Sequence, residues 1–335
     1  MARRTTAAAA LLALGTLAAC AAPDAIAPSA SSALNLQEAA TSGDLPVLAS
    51  ARTNKTEPAH LDRGRFNITL TYAVPVTPAQ QAVFEAAAAR WERIIVGDVP
   101  STEGPIPSAF AGLPPIASIV DDIIIEVALL PIDCPGGPAG NILGSAGPRY
   151  VRYVDGLPLS GVMYFDTYDL AFLDGLGLFD EVIVHEMGHV LGVGTLWNLN
   201  IPNIFTRTLR LGTVADYYFA GKYGNIHWAD AGGTGSLPIE NTGGAGTRGG
   251  HWRESVLRNE LMTGYLNLGV NPLSRITAGS MRDLGYGAGV VGEDYTLPVT
   301  TTVATSSAAA AEGDGLDIAS SESLLAPVGL VMPKP

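Results

Sequence analysis

Two of the chain's five histidines, His185 and His189, stand four residues apart in V-I-V-H-E-M-G-H-V-L-G-V-G (182–194). On a helix that spacing puts both imidazoles on one face, one turn apart. Glu186 follows the first histidine and flanks the same face. This H-E-x-x-H set is the arrangement with which one helix offers zinc two nitrogen ligands and supplies a carboxylate as general base for hydrolysis. Ile183, Met187, Val190 and Leu191 keep helical spacing on the other side, which predicts a helix with a buried back. A core helix holding two histidines by chance is the competing reading, and the scarcity of histidine in the chain weighs against it.

Catalytic zinc takes three protein ligands and keeps a fourth position for water. In the compact metzincin signature a glycine follows the helix and a histidine comes three residues later. Gly192 is in place, but Thr195 stands where the histidine would be. A distant ligand is therefore required. The candidates are His227 in N-I-H-W-A-D and His251 in G-G-H-W-R-E-S-V, and a glutamate also satisfies the chemistry. His251 follows the glycine-rich run 243–250, which is flexible enough to return the chain to the helix. Met262, in N-E-L-M-T-G-Y, comes eleven residues after His251. A methionine supplied beneath the metal by a turn after the third ligand is the metzincin arrangement. Glu254 and Glu260 are near enough in sequence to orient a ligand from behind, and equally suited to a solvated surface. Trp197 and Trp252 read as core or wall aromatics.

Taken together, H-E-M-G-H-V-L-G-V-G-T-L-W, a long insertion, His251 and N-E-L-M-T-G-Y resemble a leishmanolysin-type zinc endopeptidase, over residues 65 to 290 or so. The resemblance implies His185, His189 and His251 as ligands of one catalytic Zn2+, Glu186 as catalytic acid and base, and Met262 as the Met-turn residue. In that family the insertion separates the helix glycine from the third histidine, so Thr195 need not be a ligand. The fold implied is α+β and metzincin-like: a twisted mixed β-sheet with a long helix and an active-site helix, plus an irregular C-terminal subdomain. Protein or peptide substrates are implied as well. Two departures stand out. Leishmanolysin is rich in disulfides and carries a pro-segment cysteine, whereas this chain has two cysteines, Cys20 and Cys134, and no equivalent device.

The elements that must position these residues follow in order. Residues 66–72 alternate as a strand. Thr77-Pro78 offers an N-cap and a first helical proline for a long helix to Val96, with Val83, Ala86, Ala87, Arg90, Trp91 and Ile94 at helical spacing. Residues 122–130 are apolar and β-branched, as a strand covered on both faces should be. A glycine-rich turn is expected over 136–148, then short strands at 151–154 and 161–166, the second suited to pair with an extended substrate. The zinc-motif helix should run from about Asp174 to Leu191 and stop at Gly192. Beyond it come a short helix at 214–222, a helical turn at 255–263 and an amphipathic helix at 274–284. The expected division is a 1–19 signal segment, a 20–63 tether, catalytic subdomains at 64–194 and 195–293, and a disordered tail from 294 to 335.

Composition bounds the partners. The chain has 335 residues, 47% of them hydrophobic and 15% charged, with 39 glycines and 23 prolines, so a core must coexist with much irregular backbone. Net charge is −13, and the only basic cluster is Arg3-Arg4, which speaks against nucleic acid or an anionic lipid surface as partner. Arg3-Arg4 and the apolar stretch 7–19 form a secretory signal too short to span a bilayer. It ends in Leu17-Ala18-Ala19-Cys20, which resembles a bacterial lipobox. Cys20 is then the lipidated residue, the protein is exported to the cell envelope, and the lipid is its only membrane attachment. Cys134 is assigned no role. The expected activity is zinc-assisted peptide hydrolysis with Glu186 as base. A zinc hydrolase of non-peptide amides or esters, and a surface adhesion lipoprotein with a vestigial zinc site, are the alternatives.

Overall fold

The computed structural model describes residues 47–53, 64–132, 142–289, 291–298 and 315–333. The signal segment, Cys20, His60 and Cys134 lie outside them. Nine strands form one mixed sheet in the order β2-β5-β7-β6-β15-β1-β3-β4, with β14 also paired to β6. These strands are β1 (Val47–Thr53), β2 (Ile68–Tyr72), β3 (Thr102–Ile106), β4 (Ala117–Val120), β5 (Ile123–Leu130), β6 (Gly144–Arg152), β7 (Pro158–Asp166), β14 (Glu322–Leu324) and β15 (Gly329–Pro333). Strands β2, β5 and β7 run parallel, β6 is antiparallel to β7, and β14 and β15 run parallel to β6. The apolar β-branched run becomes β5, paired on both edges and buried as a central parallel strand should be.

Two helices cover one face of this sheet. Thr77 caps α1 (Pro78–Glu92) through a reciprocal capping box with Gln80, and proline opens the first turn. Its buried residues are Phe84, Ala87, Ala88 and Trp91. That stripe shares Ala87 and Trp91 with the one expected but is centred one residue further round. The motif helix is two helices rather than one. α2 (Thr167–Leu176) ends at Gly177, whose φ of 70° is left-handed, and α3 (Phe179–Leu191) starts afresh. A left-handed glycine cannot continue a right-handed helix, so Asp174 belongs to the preceding helix, α2. Trp91 Nε1 donates to the Val184 carbonyl at 2.9 Å, locking α1 across α3.

The second half is built of short pieces. β8 (Asn198–Ile201) pairs with β9 (Phe205–Thr208), and β10 (Arg210–Thr213) with β11 (Asp216–Phe219). α4 (Lys222–Asp230), α5 (Glu254–Leu257), β12 (Tyr265–Asn267) and α6 (Arg275–Leu284) follow, and β12 pairs with β13 (Gly315–Asp317). The helix expected at 214–222 is instead strand β11 leading into α4. The amphipathic helix expected at 274–284 is α6, and Ser274 caps it.

Four further expectations are corrected. Residues 144–148 are strand rather than turn, because Gly144 lies against Tyr164 and Phe165, and Gly147 against Leu325, where any Cβ would collide. β7 is interior, so 161–166 cannot be the edge that meets a substrate. The tether contributes β1, which pairs with β15 and β3. The tail does not stay unstructured, since residues 315–333 supply β13, β14 and β15.

Candidate metal centre

His185 and His189 project from α3 on the same face, and His251 arrives from the glycine-rich loop. The three Nε2 atoms form a triangle with sides of 2.9, 3.0 and 3.2 Å. All three side chains are fully buried. Each Nδ1 faces a main-chain carbonyl: His185 that of Leu261 at 2.7 Å, His189 that of Val193 at 2.8 Å, and His251 that of Thr247 at 3.0 Å. A carbonyl only accepts, so each Nδ1 must carry the proton and each Nε2 must present a lone pair. Three lone pairs within about 3 Å of one another in a dry site repel unless a cation lies between them. Zinc–nitrogen bonds of about 2.0–2.1 Å in a tetrahedron separate their nitrogens by roughly 3.3 Å, close to the sides observed. The donor set fits zinc.

Local sequence explains how the three are brought together. α3 ends at Gly192 with φ 114°, and Thr195 Oγ1 donates to the His189 carbonyl at 2.6 Å, closing the last turn. Thr195 thus terminates the helix. Gly194, also left-handed at φ 74°, packs directly on the backbone of Gly250. A side chain on Gly194 would hold loop and helix apart, one on Gly250 would strike Leu324, and His251 is the next residue. Met262 is buried, and its sulfur lies under Gly188, where a Cβ would come within 2.7 Å of it. The turn carrying it also supplies the Leu261 carbonyl that orients His185. Glu260 fixes this turn: its carboxylate accepts from Met262 N at 2.7 Å, Ser274 Oγ at 2.6 Å and Thr277 Oγ1 at 2.6 Å. Glu254 is buried too, and burial lifts its carboxyl to about 7. Neither carboxylate is a solvated surface group. His227 sits apart on α4, packed on Gly279 of α6 with Asp230 3.3 Å away, and does not join the cluster.

Glu186 is fully buried, and no backbone N–H, hydroxyl or amide among the described residues donates to its carboxylate. One residue beyond the expected set reaches the cluster. Glu322, on β14, places Oε1 2.8 Å from His251 Nε2 and Oε2 3.4 Å from His185 Nε2, with His189 Nε2 at 3.9 Å. His185, His189, His251 and Glu322 together make a four-donor group able to hold a metal ion. Burial, followed by the charge of Glu322, pushes the Glu186 carboxyl well above the usual range. Glu322 is held well below it although buried, an effect that requires positive charge on the His251 and His185 side of the site, from a proton or a cation between the imidazoles and the carboxylate. Burial and the neighbouring His185 drive His189 far below an ordinary imidazole. The one sequence signal for Glu322 was an acidic residue bracketed by Ile318, Leu324 and Leu325 in a tail otherwise rich in Ala, Ser and Thr.

Among curated proteins, no relative matches the chain. The leishmanolysin peptidase family model matches residues 98–297, well over half of the sequence, and spans His185, Glu186, His189, His251 and Met262. The helix motif and its distant histidine, converging as they do, sit inside that match, and the chain belongs to the leishmanolysin family of metallopeptidases.

Proposed function

We propose that the protein is an exported zinc endopeptidase that hydrolyses peptide bonds in protein or peptide substrates. The convergence of three imidazoles, each fixed with its Nε2 lone pair inward, beside the buried Glu186 carboxylate, carries this reading. Membership of a peptidase family supports it. His185, His189 and His251 would hold the ion, and Met262 packs against Gly188 of the helix that carries the first two. Zinc bound there would supply Lewis acidity, lowering a water's pKa from 15.7 to about 7 and stabilising charge on the scissile carbonyl oxygen. Glu186 takes a proton from the attacking water at a carboxylate oxygen and returns it to the departing amide nitrogen. A group with that duty needs a carboxyl that holds and releases a proton near neutrality, and burial moves Glu186 in that direction. Three neutral imidazoles leave the ion its full double charge. Export is supplied by residues 1–19 and envelope attachment by a lipid on Cys20.

A second reading is favoured by Glu322. A four-donor zinc site with no open position is the pattern of a structural centre. One experiment separates them. Zinc content and chelator-sensitive cleavage of a peptide library are measured for the wild-type chain, Glu322→Ala and Glu322→Ala/Glu186→Gln. The proposal expects about one zinc per chain throughout, cleavage by Glu322→Ala, and loss of nearly all of it, roughly 1000-fold or more, in the double variant. Cleavage undiminished by Glu186→Gln, or none by any chain, would sink it.

A further inference from the structure

The segment that carries Glu322 is built into the fold. Ile318 N and Ala319 N donate to the Gly264 carbonyl at 3.2 and 3.1 Å, and Thr247 Oγ1 donates to the Ala319 carbonyl at 3.1 Å. On the other side Leu143 N donates to the Ser321 carbonyl at 2.8 Å, and Leu325 N donates to the Ala146 carbonyl at 3.0 Å. The segment is thus gripped between β6 and the loop whose Thr247 carbonyl orients His251. Two glycines shape its bed. Gly147 lies against the Leu325 backbone, and a Cβ on Gly246 would come within 2.7 Å of the Glu322 carbonyl oxygen.

Its register matters as much as its grip. Glu322, Ser323 and Leu324 pair with Gly144, Ser145 and Ala146, so β14 covers the stretch of β6 that lies beside the imidazoles. An extended peptide laid along that stretch needs the backbone groups of Leu143 and Ala146 that β14 already uses. What β14 presents to the cluster is a side-chain carboxylate, which has no bond to cleave. Glu322 also stands where a water must enter, next to Glu186.

We propose, resting on the zinc-peptidase reading above, that residues 315–333 hold the enzyme latent: β14 takes the substrate's place on β6, and the Glu322 carboxylate fills the fourth position of the metal centre. Activity requires the Glu322 carboxylate to withdraw, after which the three-residue β14, held by main-chain pairing alone, yields its place on β6 to substrate. Two observations distinguish this from a permanent structural ligand. Glu186 is buried with no backbone N–H, hydroxyl or amide on its carboxylate and only the Glu322 carboxylate beside it, a carboxyl pair for which a closed structural site has no use. The family match ends at 297 and encloses the histidines and Glu186, so the fourth donor comes from outside the shared catalytic unit. An intramolecular ligand acts at an effective concentration of roughly millimolar, enough to exclude substrates present at far lower levels.

The test uses the full-length chain with cobalt(II) in place of zinc, reading the visible spectrum as azide is added, alongside peptide turnover. In the wild type azide should leave the spectrum unchanged. In Glu322→Ala it should shift the bands, and turnover should rise at least tenfold. Glu322→Gln keeps the shape of the side chain but offers a neutral, weaker donor, so it should fall between the two and guards against misfolding of the alanine variant. An equal azide response in the wild type would overturn the proposal. So would a hundredfold or greater loss of metal affinity in Glu322→Gln, which would make Glu322 a structural ligand. Azide access gained without any peptide cleavage would leave the closure standing and sink the peptidase reading. Wild-type turnover equal to that of the variants would do the reverse.

Discussion

The metal centre owes its geometry to main-chain carbonyls, which fix the tautomer of each imidazole before any ion binds. His251→Ala should therefore weaken zinc binding by far more than the roughly 10- to 100-fold typical of losing an orienting partner. His227→Ala should leave it within a few-fold, as competition with a chromophoric chelator would register; the opposite ranking would displace His251 as ligand. Glu254 offers a second test. Its carboxyl is raised from 4.5 to about 7 by burial, so the folded state binds its proton more tightly than the unfolded chain does. The stability this contributes is complete below about pH 4.5 and is lost as pH rises through 7. Replacing it with glutamine should flatten the fall in melting temperature between pH 5 and 8. An unchanged slope would mean that the carboxyl titrates normally. The convergence of His185, His189 and His251 was legible in the sequence, because ligand chemistry restricts residue type and spacing. The sequence was a poor guide for Glu254 and Glu260. Nothing in a glutamate's identity tells whether Ser274 and Thr277 will bury it.

α3 shows what local pattern can and cannot convey. Its apolar spacing and the glycine at its end were legible, as was the cap of α1, since these depend on neighbours in sequence. The break at Gly177 was not, because a glycine inside an apolar run looks the same whether it is helical or left-handed. β14 was invisible for a related reason. Three residues, one of them charged, show no period, and their pairing to Gly144–Ala146 depends on contacts nearly 180 residues away. Close approach makes one helix position a sharp probe of packing. A Cβ at Gly188 would come within 2.7 Å of both Met262 Sδ and Trp91 Cζ2. Gly188→Ala should cost about 1–3 kcal/mol in urea unfolding, in spite of alanine's better helix propensity. A gain in stability would show that the turn under the helix yields easily.

Across the whole molecule, the mixed sheet with its long helix and motif helix follows the α+β arrangement read from the sequence, while the placement of both chain ends does not. β15 stands between β6 and β1, and through it the strands β1, β3 and β4 join the rest. A chain ending at residue 313 should therefore lose more than Glu322. It should expose the β6 edge, unfold earlier and aggregate, whereas Glu322→Ala keeps a cooperative melt. Light scattering during thermal unfolding distinguishes them, and a soluble, cooperatively melting truncation would show that β15 is dispensable. Among the described residues no helix is long and apolar enough to cross a membrane.

The position of β15 also sets an order of events. β1 pairs with residues 330–333, so an interior seam of the sheet joins segments some 280 residues apart and waits until residues 330–333 have been synthesised. Contacts of such separation form late, because loop closure comes before their reward. β14 lies only a few residues ahead of β15 and docks on the same strand. The step that completes the sheet therefore also carries Glu322 to the histidines, and the newborn molecule passes through no finished state in which its site stands open.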